Sequence, residues 1–188
     1  MDDNVIRMSD IEEKSFEELH KIALKAARNI HLQDKVEHGR SIDIYGNVEK
    51  FSGGSDWVDI DINTNTRIAV HNHPNEYKEP ESFSDFDIYH FLSKKYLCEI
   101  IVCGYGYYFY LRRGSFNGLS GDVQKDVLKI RAKVKREVKK EYLADDRNNN
   151  KTIKRKMKEL THAAEARYHE ELSTYLREKG LSYGKEKL

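Results

Sequence analysis

The chain has 188 residues, of which 38% are apolar and 35% are charged, and a length of this order suits one compact domain with an appendage. It contains no run of about 18 apolar residues, so we expect no membrane span. Residues 1–10 carry acids and no apolar stretch, which is not the pattern of a secretory signal. With only Cys98 and Cys103, we expect reduced thiols and a cytoplasmic location rather than a disulfide framework.

The net charge of +1 is unevenly distributed along the chain. Residues 1–121 hold 14 basic and 20 acidic residues, a net of −6, and residues 122–188 hold 19 and 12, a net of +7. The hydrophobic pattern changes at the same place. The sequence therefore predicts a domain over residues 1–121 and a basic helical hairpin appended over residues 122–188.

Helix and strand patterns alternate in the first part. Ser15 and Glu18 form a capping-box pattern, and apolar residues at helical spacing then predict a helix over Phe16–Ile30. Alternating or short apolar runs predict strands over residues 41–45, 48–51, 57–62, 66–70, 99–102 and 107–111. Residues 71–83 read as a loop, and a second helix should begin near Ser84. This order predicts an α/β fold.

The second part has two helical patterns. Apolar residues at helical spacing run from Val123 to Val138 and from Ile153 to Tyr175, with a polar break at residues 145–150. Two helices with one apolar stripe each predict an antiparallel hairpin. Its seam can close within one chain or between two chains of a homo-oligomer.

The segment that carries chemistry is His71-Asn-His-Pro74, directly after a predicted strand. Two histidines at i and i+2 point to the same side of a strand, so both can reach one metal ion. Zinc favours histidine nitrogens, and a catalytic zinc site keeps three protein ligands and one open position. Asp85 and Asp87, at the start of the following helix, offer a carboxylate as the third ligand.

His-x-His-Pro, a loop, and then Ser-x-x-Asp with an aliphatic residue at a helix start resemble the signature of the JAMM (JAB/MPN) zinc metalloproteases. The His-Asn-His-Pro form is more similar to short bacterial or phage-like members than to eukaryotic deubiquitinases. The resemblance covers about residues 36–111. It implies a cytidine-deaminase-like curved sheet flanked by helices, with Zn²⁺ held by His71, His73 and Asp87.

The resemblance also implies the residues that move protons. Ser84 would orient the water and stabilise the oxyanion, and a glutamate on an upstream strand would act as general acid and base. Glu37 is preferred for that role because family members often carry a glutamate closely followed by a glycine, here Gly39. Glu49 remains the alternative.

The register of the Ser-x-x-Asp motif also remains open. Ser82 and Asp85 form an overlapping copy that lies nearer to the second histidine, as the usual family spacing requires. Ser84 and Asp87 are preferred because their hydrophobic neighbours match the family pattern better.

The implied function is zinc-dependent hydrolysis of a peptide or isopeptide bond in a protein or peptide substrate, such as a ubiquitin-like tail. The alternative is an inactive scaffold of JAMM fold that binds protein or nucleic acid through its basic tail. A third option is a toxin or mobile-element protein whose substrate is not ubiquitin-like. The basic residues that such binding would use are Lys133, Lys135, Arg136, Lys139, Lys140, Lys151, Lys154, Arg155, Lys156 and Lys158. Acidic residues are interleaved with them, which favours a solvated helical surface over nucleic-acid binding.

Overall fold

The computed structural model describes residues 13–31, 35–74, 81–116, 118–145 and 151–188. The elements are α1 (Phe16–Ile30), β1 (His38–Asp43), β2 (Val48–Ser52), β3 (Thr66–Asn72), α2 (Asp85–Ser93), β4 (Glu99–Gly104), β5 (Tyr107–Arg112), α3 (Ser120–Ala144), α4 (Ile153–Glu178) and β6 (Ser182–Lys187). The predicted α/β class is confirmed. No helix in these ranges is both long enough and apolar enough to cross a membrane.

Six strands form one mixed sheet in the order β2-β1-β3-β4-β5-β6. Only the central pair β3 and β4 is parallel, and the other neighbouring pairs are antiparallel. A parallel pair needs a crossover connection, and α2 lies in the segment that joins these two strands. The carboxyl end of β3 and the start of α2 lie close together, since His71 and Asp87 are in contact.

The two faces of the sheet bury different helices. Ile68 and Val70 of β3 pack in a cluster with the apolar side of α1, whereas Ala69 belongs to the cluster on the other face. This alternation follows from the two-residue period of a strand. The predicted capping box at the start of α1 is present, because Ser15 and Glu18 bond each other reciprocally.

Helices α3 and α4 pack on the sheet rather than standing apart from it. They pair as an antiparallel hairpin, in which Tyr142 donates to Glu159 near one end and Tyr175 donates to Asp126 near the other. Their buried residues lie in the same cluster as side chains of α2, β4 and β5, namely Val123, Val127, Val134, Val138, Tyr168, Leu172 and Leu176. This part of the hydrophobic seam is thus buried within the chain, whereas Ile153 and Met157 at the start of α4 are exposed.

Two features of the sheet differ from the sequence prediction. Residues 57–62 were predicted as a strand, and that prediction is wrong, because they form no ladder and cross over β1 instead. Ile60 packs so closely on Gly39 that a Cβ there would lie 2.5 Å from the Ile60 side chain. The alternation of apolar and polar residues in this segment reflects burial of one side and not strand pairing. Conversely, β6 was not predicted, since only Tyr183 in its polar sequence is buried.

Some predicted features fall outside the described residues. These are residues 1–10, residues 75–80 of the predicted loop and residues 146–150 of the predicted polar break. The predicted thiols are described: Cys103 is buried, Cys98 is half-buried, and both are free.

Candidate metal centre

The two histidines lie at the carboxyl end of the central strand β3. His71 lies opposite Gly39 of β1 and beside Val102 of β4. The backbone N–H of His73 donates to the Cys103 carbonyl at 3.1 Å, which continues the pairing with β4 just beyond the end of the strand. His71 and His73 therefore share one face, as their spacing predicts.

The side chains of His71, His73 and Asp87 converge on one point. The two Nε2 atoms are 3.1 Å apart, and the Asp87 oxygens lie 3.2 Å from His71 Nε2 and 3.4 Å from His73 Nε2. Tetrahedral bonds of about 2.1 Å would separate two ligand atoms by about 3.4 Å. The three side chains could therefore hold a metal ion, and their spacing fits one.

The N-terminus of α2 fixes the carboxylate. Ser84 is the N-cap residue, its hydroxyl accepts from Asp87 N–H at 3.2 Å, and Asp87 Oδ2 accepts from Ser84 N–H at 2.7 Å. The hydroxyl of Ser84 also donates to the same oxygen at 2.8 Å. A capping box is a common helix start, and here it also aims the Asp87 carboxylate at the histidines.

The charges of the cluster couple to each other. Burial alone would raise the pKa of Asp87, but the two histidines outweigh it and hold that pKa well below its usual range. Burial likewise opposes protonation of His73, but the Asp87 carboxylate outweighs it and raises the pKa of this histidine. A proton on the cluster thus occupies the place that a cation would take.

The other ring nitrogen of His71 has no hydrogen-bond partner within the described part of the chain. Its Nδ1 is buried and accepts or donates no hydrogen bond among the residues that the structure describes. The polar contacts of this ring that the structure records are therefore on the Nε2 side, towards His73 and Asp87.

Glu37 lies beside this cluster, just before β1. Its side chain is buried, with 7% of its surface exposed, and it lines the same cleft as the two histidines. Burial raises the pKa of Glu37, and the neighbouring His73 and His71 only partly offset that effect. The alternative, Glu49, is exposed on the edge strand β2 and does not line the cleft.

The alternative serine and aspartate are engaged elsewhere. Ser82 is 1% exposed and hydrogen-bonds the Tyr183 hydroxyl of β6 at 2.5 Å. Asp85 accepts from the Gln124 amide of α3 at 3.1 Å. Ser84 and Asp87 are thus the pair that the structure brings to the histidines.

The cluster of His71, His73 and Asp87 opens into a cleft of about 1040 Å³. Its walls include the extended segment of residues 55–62, in which Trp57 is 59% exposed, and Phe86 of α2, which is 63% exposed. The sequence analysis did not identify either wall as part of the site. The presence of two exposed aromatic residues, distant in sequence, in the lining of one cleft is visible only once the chain is folded.

Protein-family profiles, curated proteins and solved structures yield no match to this chain. The functional interpretation therefore rests on the site itself and on the motif resemblance.

Proposed function

We propose that this chain is a zinc-dependent hydrolase of JAMM type that cleaves a peptide or isopeptide bond. The observation that carries the proposal is the convergence of His71, His73 and Asp87 within hydrogen-bond distances of one another, beside a buried glutamate in one open cleft. These are the residues that the motif resemblance names for the metal site and for the general base.

The donor set supports zinc as the metal. Two imidazole nitrogens and one carboxylate are the protein ligands of several catalytic zinc sites, which leave a fourth position open. The cleft reaches the three side chains, so a small molecule has access to that position. When bound, zinc would supply Lewis-acid polarisation of a carbonyl group and acidify water.

Glu37 is the proposed general base and acid. Its carboxylate would take a proton from the attacking water and then give that proton to the leaving nitrogen of the amide. Such a shuttle works best when the pKa of the group lies near the working pH, and burial moves the pKa of Glu37 in that direction.

Ser84 has a supporting role that its contacts explain. Its hydroxyl donates to Asp87, so it fixes the orientation of a proposed metal ligand. Outer hydrogen-bond partners of this kind tune metal affinity. The further role of Ser84 towards an oxyanion remains a prediction.

The residues that line the cleft support a peptide chain as substrate. It is open and is lined by Trp57 and Phe86 as well as by Asp56, Asp59 and Asp61. Aromatic side chains offer large contact areas for a peptide, and the acids would attract basic side chains. A ubiquitin-like tail is one substrate of this class, and the site itself names no particular protein.

The scaffold alternative, with its basic helical tail, draws less support. Several cations of the tail are bound to acids in the hairpin: Arg131 pairs with Glu165, Lys133 with Glu171, and Arg167 with Glu141. Such pairs reduce the charge available to a phosphate backbone. Binding of nucleic acid is therefore not the function that we favour.

The direct test uses metal removal and return. The chain is stripped with a chelator, and half of the sample is reconstituted with zinc. Both halves are then incubated with a peptide library and with peptides joined through a lysine side chain. We expect cleavage only after zinc is restored. Absence of cleavage in both samples, or equal cleavage in both, would contradict the proposal.

A further inference from the structure

We infer that Asn72, the residue between the two histidines, is a positioning residue that holds Glu37 at the metal cluster. The inference rests on the proposed function for its catalytic meaning. Its structural part, the anchoring of the segment around Glu37, can be tested without any activity.

The Asn72 side chain hydrogen-bonds the backbone on both sides of Glu37. Its side chain is buried, with 1% of the residue exposed. Its Oδ1 accepts from the backbone N–H of His38 at 2.6 Å, and its Nδ2 donates to the carbonyl of Val36 at 3.3 Å. The amide thus makes the pair of bonds that a peptide group of a neighbouring strand would make.

The backbone of Glu37 itself is bound from the opposite side. Its N–H donates to the Gly54 carbonyl at 2.7 Å, and its carbonyl accepts from Gly53 N–H at 2.9 Å. Residues 36–38 are therefore held by four hydrogen bonds, two to the loop of Gly53 and Gly54 and two to the Asn72 side chain. Substitution of Gly53 by any other residue would require rearrangement, because a Cβ there would lie 1.8 Å from the Trp57 carbonyl oxygen.

A side chain does this work because the two strands separate at this point. The register of β1 with β3 ends at the pair Gly39 and His71, and His73 N–H turns to β4 instead. The Asn72 side chain extends from β3 across the gap. It keeps the segment of Glu37 near β3 and leaves space beside the histidines for the carboxylate.

The run His71-Asn72-His73 therefore serves both sides of the strand. Residues at i and i+2 share a face, and the residue between them points the other way. The two histidines supply metal ligands on one face, while Asn72 ties down the proposed base from the other. Residues 71–73 thereby help to set the distance between the proposed metal position and the Glu37 carboxylate.

The choice of residue type follows from this geometry. An amide carries both a donor and an acceptor at its end, so it can bond His38 N–H and the Val36 carbonyl together. Alanine can make neither bond. Asn72→Ala should therefore release the segment of Glu37 without removing a metal ligand, and a displacement of about 1 Å is enough to lower turnover by about 10²-fold.

The first arm of the test measures hydrogen–deuterium exchange in the zinc-loaded protein. Asn72→Ala should accelerate exchange of the amides at residues 36–38, while zinc content stays at the wild-type level. Asn47→Ala is the matched control, because Asn47 bonds Asp43 at the far end of β1 and lies away from the site. Unchanged exchange at residues 36–38 in Asn72→Ala would overturn the inference. This arm remains decisive even if the wild type hydrolyses nothing, which would refute only the proposed function.

The second arm is a double-mutant cycle on kcat with Glu37→Gln. If Asn72 acts through Glu37, Asn72→Ala should lower kcat by about 10²-fold in the wild type and by less than about twofold in Glu37→Gln. KM should change little in both backgrounds. Equal losses in the two backgrounds would show that Asn72 acts independently of Glu37 and would overturn its assignment as a positioning residue.

Discussion

Ser84 and Asp87 hold each other reciprocally at the start of α2, and the same Asp87 oxygen that accepts from Ser84 at 2.8 Å lies 3.4 Å from His73 Nε2. The helix cap thus includes Asp87, the proposed metal ligand. Loss of the Ser84 cap should therefore lower the metal affinity of the proposed site.

Ser84→Ala should weaken both the helix and the site. Loss of an N-cap side chain destabilises a protein by about 1 kcal/mol, and loss of an outer hydrogen bond to a ligand lowers metal affinity by about 10- to 100-fold. Ser84→Thr retains the hydroxyl and serves as the control. Zinc affinity is measured by competition with a chromogenic chelator, and an unchanged affinity in Ser84→Ala would separate the cap from the metal site.

Glu37→Gln should abolish most turnover while zinc remains bound. General acid–base catalysis contributes about 10²- to 10⁴-fold, and a glutamine cannot accept the proton. Glu49→Gln is the matched control, since Glu49 is exposed on β2. Equal kcat/KM values for Glu37→Gln and wild type at equal zinc content would remove Glu37 from the mechanism.

Residues 1–121 should not fold alone. The fragment would lose the α3 and α4 side chains that cover Phe83, Phe91 and Phe109, and it would lose β6 from the edge of the sheet. Large apolar surface would then be exposed to water. Circular dichroism during heating should show no cooperative transition for this fragment. A cooperative transition would demonstrate the independent domain that the charge distribution predicts.

His169 should make stability depend on pH. Burial, and secondly the charge of Lys185, lower the pKa of His169 below its usual value of about 6.5. The unfolded chain then binds more protons than the folded chain in the window between the two pKa values, so this contribution to stability falls as pH drops through about 6.5.

His169→Gln removes that titration. The melting temperature of the wild type relative to this variant should fall between pH 7.5 and pH 5.5. The comparison between the two proteins cancels the carboxylates that titrate in both. A difference that stays constant over this range would contradict the assigned direction of the pKa shift.

The sequence predicts local features where one residue pattern has one physical meaning. The capping box at Ser15, the helix start near Ser84 and the apolar stripes of α1 and α3 are of this kind, and each is present in the structure. The stripe of α4 is buried only in part, because Ile153 and Met157 at its start are exposed. The common face of His71 and His73 is also dictated by strand geometry.

The remaining features depend on contacts between distant segments. Residues 57–62 alternate like a strand, but they pack across Gly39 and pair with no strand in the described part of the chain. Strand β6 is polar and is recognised only through its pairing with β5, where Gly184 lies opposite Tyr110. Asn72 is an ordinary polar residue in the sequence, and its importance comes from hydrogen bonds to residues 34 and 36 positions away.

The most direct test of the account is the zinc content of the purified chain. Wild type is compared with the double variant His71→Ala/His73→Ala and with His90→Ala, which changes an exposed histidine that lines the cleft outside the cluster. Inductively coupled plasma mass spectrometry should find about one zinc per chain in wild type and His90→Ala and almost none in the double variant. No zinc in the wild type even after reconstitution, or equal zinc in all three proteins, would contradict the assignment of His71, His73 and Asp87 as a zinc site.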